Sequence, residues 1–258
     1  MKKNIAIIFA GGTGTRMGIE NIPKQFLEVD GKPIIIYTLE FFQNHLEIDE
    51  IYIACISTWI DYMKDIVKEF KIDKVKEIVE GGKTGQDSIY NALIAARKNN
   101  DSDSNVLIHD GVRPYITYDL ISDCINSINL YGTAITCTSC FETIIISKDG
   151  NEISQVPYRK ETYAAQAPQG FVLGEIIEAH NQMRKINPEY ENIVDSCTLY
   201  RVLGKDVKLV QGNRGNIKVT TPEDYFQFKS LLECKKSIDE TGFNVPEMSE
   251  KLKKMVMN

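Results

Sequence analysis

Three short stretches concentrate the residue types that handle phosphate and metal. The first, AGGTGTRMG, spans Ala10 to Gly18 and follows the apolar run NIAIIF. Glycines let backbone N–H groups converge on an anion without steric cost. Ala10, Gly11, Gly12, Thr13 and Gly14 would line such a cradle, and a helix start beyond it would add a favourable dipole. Arg16 and, eight positions on, Lys24 supply positive charge. A tight strand-to-helix turn is the plainer reading of the same stretch. Two familiar nucleotide signatures fail. G-x-G-x-x-G matches at Gly12 and Gly14 but meets Met17 where its third glycine belongs, and the GKT at Gly82–Thr84 lacks the Walker glycine because position 77 is Glu.

The second stretch is HDGVRP. Asp110 closes an apolar run and suits Mg2+, which takes one or two carboxylates plus phosphate oxygens. Arg113 would hold phosphate or orient Asp110; a salt bridge that fixes the turn is the alternative for the pair. His109 reads as a structural neighbour. The third stretch is GNIKVTTPEDY, in which Gly215 opens an expected strand that contains Lys218. An amine there is well placed to stabilise charge building on a phosphoryl group. TPED reads as a helix start, with Thr221 as N-cap and Pro222 at the first helical position. A glycine cradle, several cations and one acidic metal ligand together serve phosphoryl or nucleotidyl chemistry. Positioning and electrostatics can carry that chemistry without a covalent enzyme intermediate.

These stretches need strands and helices to bring them together. Residues 4–9 are β-branched and apolar. KPIIIYTLEFFQN reads as a helix with Pro33 in its first turn, EIYIACIS (50–57) as a strand and WIDYMKDIVKEF (59–70) as an amphipathic helix. A strand over 74–80, a helix over 88–99 and a strand over 105–110 follow. Near-continuous apolar strands alternating with helices predict an α/β fold, a mostly parallel sheet covered on both faces. Such sheets bind ligands at the carboxyl ends of their strands, where AGGTGTRMG and HDGVRP both fall. After about residue 133 the alternation breaks. TAITCTS, TIIIS and EISQV read as short strands around KDGN, whose Asp149–Gly150 pair signals a hairpin. The expected organisation is one nucleotidyltransferase domain over 1–233, with a β-arm at about 140–165. A C-terminal linker and short amphipathic helix would occupy 234–258, with Met248, Leu252, Met255 and Val256 on the apolar face.

Bulk properties exclude several alternatives. The chain has 258 residues and a formal net charge of −6, so an anionic ligand must be held by a local cluster of cations. No long basic stripe points to nucleic acid, and no stretch reaches the length of a signal or a membrane span. A cytoplasmic protein is expected. Six cysteines without regular spacing fit a reduced compartment. Cys137 and Cys140 form a lone C-x-x-C with no second pair, and His45, His109 and His180 are scattered, so no zinc set is expected.

In order along the chain, AGGTGTRMG…PKQFLEVDGKPIIIYTLEFF, EGGKTGQDSI, HDGVRP, AQAPQGF and GNIKVTTPEDY resemble the polyol-phosphate cytidylyltransferases. That family includes the methylerythritol 4-phosphate enzyme of isoprenoid synthesis and the ribitol 5-phosphate enzyme of teichoic-acid and capsule synthesis. The resemblance covers roughly residues 4–232 and leans to the ribitol-phosphate branch through GTGTRMG, PKQFLE and HDGVRP. It implies a Rossmann-like nucleotidyltransferase fold, a homodimer joined through the β-arm, and transfer of CMP from CTP to a polyol phosphate with Mg2+ bound. By motif it implies that Arg16 and Lys24 bind triphosphate and stabilise the transition state, while Lys218 neutralises the α-phosphate. Gly82 and Ser88 would border base and ribose, and Asp110 would bind Mg2+. Arg113, Thr143, Arg159 and Asp195 would serve the acceptor, with Arg159 donated by the partner chain's arm.

Three positions depart from the family pattern. Gly85 stands where Arg is frequent, with Lys83 a nearby substitute for the charge. Ala167 replaces a frequent Thr, and Val194 precedes Asp195 where Thr is usual in the methylerythritol enzyme. The last two remove hydroxyl donors near the acceptor and weaken the methylerythritol assignment. A catalytically silent nucleotide-binding subunit on the same fold is the rival from another class. A dehydrogenase is disfavoured by the failed fingerprint.

Overall fold

A computed structural model describes residues 2–12 and 22–241. Strand β1 (Asn4–Ala10) leads to a two-stranded hairpin, β2 (Glu28–Val29) and β3 (Lys32–Pro33), and helix α1 (Ile34–Asn44). The alternation continues through β4 (Glu50–Cys55), α2 (Ile60–Glu69), β5 (Val75–Glu80), α3 (Gly85–Asn99) and β6 (Asn105–Asp110). Helix α4 (Tyr118–Tyr131), β7 (Thr133–Ser139) and β8 (Tyr163–Val172) follow. The chain then forms α5 (Leu173–Ile186), α6 (Ser196–Val202), β9 (Leu209–Gln211) and α7 (Pro222–Thr241).

Seven strands form one sheet in the order β5-β4-β1-β6-β8-β7-β9. Strands β5, β4, β1 and β6 are mutually parallel, whereas β8 runs antiparallel to both β6 and β7. From β1 the chain steps outward to β4 and β5, then returns through α3 to β6 on the other side of β1. The order therefore reverses between β1 and β6, and their carboxyl ends open a crevice there.

Consecutive strand residues point to opposite faces, so each apolar strand feeds two cores. Ala6, Ile8, Ile51 and Ile53 pack with Leu39 and Phe42 of α1, Met63 and Ile66 of α2, and Ile121 and Ile125 of α4. Ile5, Ile7, Tyr52 and Ile108 pack with Ile89 and Leu93 of α3, Ile176 and Met183 of α5, and Leu199 of α6. This two-sided burial explains the continuous apolar strands. A third cluster of Val29, Ile34, Val112, Val219 and Phe228 seats α7 against the β2–β3 hairpin.

Several boundaries differ from the sequence expectation. Pro33 is the N-cap of α1 rather than part of its first turn. Helix α3 starts at Gly85, three residues early, because Thr84 and Asp87 form a reciprocal capping box. Lys218 lies in a connecting segment outside the sheet, not in a strand. The expected β-arm is an exposed excursion over residues 140–162 whose only bridge among the described residues joins Ile146 to Gln155. Residues 234–241, expected as a linker, continue α7, so the proposed boundary at 233 falls inside a helix. The expected helix near the C-terminus lies outside the described residues. Among the described residues, no helix is long and apolar enough to cross a membrane.

Candidate active site

The crevice between β1 and β6 holds the first and second stretches side by side. Ala10 ends β1, and its carbonyl accepts a bond from Gln25 Nε2 at 2.8 Å, which brings buried Lys24 and Gln25 beneath the glycine loop. Close approach dictates two glycines. A Cβ on Gly11 would lie 2.7 Å from Ser88 Oγ, and one on Gly82 would overlap the Cβ of Asp87. Ser88 is buried and ties the two loops: its Oγ accepts from Gly82 N at 3.0 Å and donates to Thr84 O at 3.0 Å. Asp87 accepts from Thr84 N and is paired with Arg184 of α5 at 2.9 Å, so α5 fixes the start of α3.

Asp110 is buried at the end of β6 and has a cation on each oxygen. Lys218 Nζ lies 2.5 Å from Oδ1, and Arg113 Nε lies 2.9 Å from Oδ2. Burial pushes the carboxyl pKa up, but Lys218 and Arg113 outweigh that and hold it at about 2. Arg113 also donates to Asn216 O at 2.8 Å, which ties the HDGVRP loop to the segment carrying Lys218. Val219 is buried and bonds Val112 O through its N–H at 2.8 Å. Lys218, the residue before it, faces Asp110 instead. His109 is fully buried, and desolvation drives its imidazole pKa down to about 4, which agrees with a structural role.

Two cavities meet at this ion pair. One, of about 370 Å3, is lined by Ala10, Gly11, Gly12, Lys24, Lys83 and Ser88. The other, of about 200 Å3, is lined by residues that include Gln86, Gln169, Val194 and Asp195. Phe9, Gly85, Asp110 and Lys218 belong to both.

Most of the expected site residues converge here. Ala10, Gly11, Gly12, Lys24, Gly82, Ser88, Asp110 and Lys218 border the larger cavity, while Arg113 and Asp195 border the smaller. Thr13, Gly14 and Arg16 lie outside the described residues. Thr143 and Arg159 line neither cavity. Both are exposed on the excursion, where Arg159 Nη1 reaches only Phe141 O at 3.5 Å. Asp195 caps α6 through Thr198 N at 2.7 Å and accepts from Gln169 Nε2 at 2.8 Å. Gln86, Gln166, Gln169 and Ser196 also line the smaller cavity and were missed in the sequence. AQAPQGF contains two of them, but nothing in composition separates a cavity-lining Gln from a surface one.

Residues 4–234 match the family model for 2-C-methyl-D-erythritol 4-phosphate cytidylyltransferase. The chain belongs to this cytidylyltransferase family. A ribitol-5-phosphate cytidylyltransferase of Streptococcus agalactiae serotype III is 42% identical over 91% of this chain and 97% of its own length. The enzyme of that name from Vibrio parahaemolyticus is 42% identical over 93% and 100%. A 2-C-methyl-D-erythritol 4-phosphate cytidylyltransferase of Clostridium botulinum is 39% identical over 90% and 99%. Among solved structures, the 4-diphosphocytidyl-2C-methyl-D-erythritol synthase of Anaerococcus prevotii superposes with a TM-score of 0.76 at 31% identity. That match covers 90% of this chain and 96% of the other. The family's cytidylyltransferase fold thus accounts for the sheet order and for the crevice between β1 and β6.

Proposed function

We propose that this chain transfers CMP from CTP to a polyol phosphate, with D-ribitol 5-phosphate as acceptor, giving CDP-ribitol and pyrophosphate. One observation carries the reading: Asp110 and Lys218 stand in the wall common to two cavities. The larger cavity takes the nucleotide, with Gly11, Gly12 and Lys24 toward its phosphates and Gly82 and Ser88 toward base and ribose; Arg16 would bind the same triphosphate. The smaller takes the acceptor. An acceptor phosphate oxygen attacks the α-phosphorus where the cavities meet, the bond from the α-phosphorus to the bridging oxygen breaks, and pyrophosphate leaves. Lys218 offsets charge building on the α-phosphate. Arg113 holds Asp110 in place from the other side.

The donor chemistry at Asp110 suits Mg2+. It is a hard, ionised carboxylate beside a cavity sized for phosphates, and among the described residues no group of three or more His, Cys, Asp or Glu offers a protein-only cage. Asp110 and nucleotide phosphate oxygens would hold the ion together. When bound, Mg2+ neutralises phosphate charge. Arg159 reaches the acceptor from the partner of a homodimer joined through the excursion, which is consistent with its exposure in its own chain. CTP supply makes the cytoplasm the site of action, and CDP-ribitol would feed cell-envelope polymer synthesis.

The acceptor choice rests on the ribitol-5-phosphate relatives at 42% identity and on Ala167 and Val194, which line the smaller cavity at positions where Thr is frequent in the family or usual in the methylerythritol enzyme. The 39% identity to methylerythritol-phosphate enzymes and the matched family model support a second reading, with 2-C-methyl-D-erythritol 4-phosphate as acceptor. Pyrophosphate release from CTP and Mg2+ with each acceptor separates them. Faster turnover of ribitol 5-phosphate is expected. Preference for methylerythritol phosphate would replace the first reading with the second, and nucleotide binding without turnover of any polyol phosphate would favour a silent subunit.

A further inference from the structure

The smaller cavity has an unusual division of labour among its polar groups. Phe9, Ile89, Ile108, Ala165, Ala167 and Val194 make much of its wall apolar. A polyol needs hydrogen-bonding partners there, yet several polar side chains in that wall are already engaged. Asp195 is held by Thr198 and Gln169, Gln169 Oε1 accepts from Cys197 N at 3.0 Å, and the Gln166 amide donates to Asn213 O at 3.0 Å. Gln86 Oε1, Gln166 Oε1 and Ser196 Oγ in this wall are buried without a hydrogen-bond partner. Gln86 is the amide of the three that sits on α3, is only 3% exposed, and is not tied to a neighbour through its nitrogen as Gln166 is. A buried amide left unpaired is destabilising, so such groups ordinarily find a partner in protein, water or ligand.

The local structure fixes the backbone at Gln86. It follows Gly85 in the first turn of α3, between Thr84 and Asp87, whose side chains form the capping box. Arg184 braces Asp87 from behind. Gln86 borders the smaller cavity and not the larger, although its neighbours Gly85 and Ser88 border the larger. A side chain rooted there can discriminate, because a ligand hydroxyl that fails to reach it leaves the amide unpaired.

Building on the function proposed above, we infer that Gln86 is a specificity-determining residue that reads one hydroxyl of the polyol phosphate. Its amide takes over part of the recognition that the apolar Ala167 and Val194 do not supply. Because an amide both donates and accepts, it pairs with a hydroxyl in either sense.

The test uses the full-length chain, CTP and Mg2+, and compares wild type with Gln86→Met, which keeps side-chain length and removes the amide. Initial rates of pyrophosphate release give KM for the acceptor and for CTP separately. Acceptor KM should rise roughly tenfold, the value of one well-placed hydrogen bond, while CTP KM stays within about twofold. Wild type is also assayed with a set of singly deoxygenated pentitol phosphates. One deoxy position should cost roughly tenfold in kcat/KM, and that penalty should vanish in Gln86→Met. If Gln86→Met does not fold, Gln86→Ala takes its place. An unchanged acceptor KM, a parallel rise in both KM values, or a deoxy penalty that persists in the variant would each overturn the role of Gln86 alone. No turnover by wild type with either acceptor would overturn the proposed function, and this inference with it.

Discussion

Lys218 Nζ lies 2.5 Å from Asp110 Oδ1, although the two residues come from parts of the chain more than one hundred positions apart. Lys218 sits in a connecting segment that no strand pairing holds. Its aim is set by its neighbours: Val219 is buried and bonded to Val112 O, and Asn216 O is bonded to Arg113. The same loop, residues 110–113, therefore supplies both the carboxylate and the anchors that turn the lysine toward it.

Lys218→Ala should lower kcat/KM for pyrophosphate release by about a hundredfold, as expected for a donor aimed at developing charge. The fold should survive, because Arg113 still pairs with Asp110. Steady-state kinetics alongside a thermal melt checks both parts. Turnover within threefold of wild type would remove Lys218 from the reaction.

Gly82→Ala and Gly12→Ala should behave differently. A Cβ at Gly82 collides with Asp87 in the first turn of α3, whereas a Cβ at Gly12 meets nothing within 4 Å. The first change should destabilise by about 1–3 kcal/mol and raise CTP KM. The second should stay within about 0.5 kcal/mol in stability. Urea unfolding of both variants reads the contrast.

His180 is buried against Tyr190, with its Nδ1 2.8 Å from the phenol oxygen. Burial, helped by Arg184, drives its pKa down to about 3. The unfolded imidazole titrates near 6.5. Between those values only the unfolded state takes up the proton, so stability falls as pH drops below about 6.5. His180 alone should account for about 2 kcal/mol of loss between pH 7 and pH 5. Urea midpoints for wild type should decline over that range, and His180→Gln should remove about half of the decline, the rest coming from buried His109.

Arg159→Ala and Asp110→Ala chains should each be nearly inactive. Unfolded and refolded together, they should regain about a quarter of wild-type activity. In the homodimer proposed above, random pairing makes half the dimers mixed, and each mixed dimer would have one complete site out of two. Mixed dimers isolated with two different tags and showing no activity would confine Arg159 to its own chain.

Much of the scaffold was legible in the sequence because both faces of β1, β4 and β6 are buried, and that burial writes itself as unbroken apolar runs. The carboxyl-end rule then brought the glycine loop and HDGVRP together. Lys218 was found from its type but put in the wrong element, since Ile217 and Val219 alternate with it as in a strand while packing against α7 and the hairpin instead. TIIIS and EISQV carry strand-like composition, yet their apolar side chains stand exposed, with Ile145 and Ile153 more than half open. Composition marks a segment that wants burial; it does not say whether the chain itself provides it. Gln86 left no trace in the sequence, because an unpaired buried amide exists only in three dimensions.

Strand β8 has a double allegiance. Its first residues, Tyr163 to Ala165, pair with Thr138, Ser139 and Cys137 where the exposed excursion rejoins the body, and its register shifts between Ile135 and Cys137. Ala165 itself, with the adjoining Gln166, Ala167 and Gln169, lines the smaller cavity. The root of the excursion and the wall of the smaller cavity therefore share one continuous strand, with the cavity-lining stretch held between paired residues on either side.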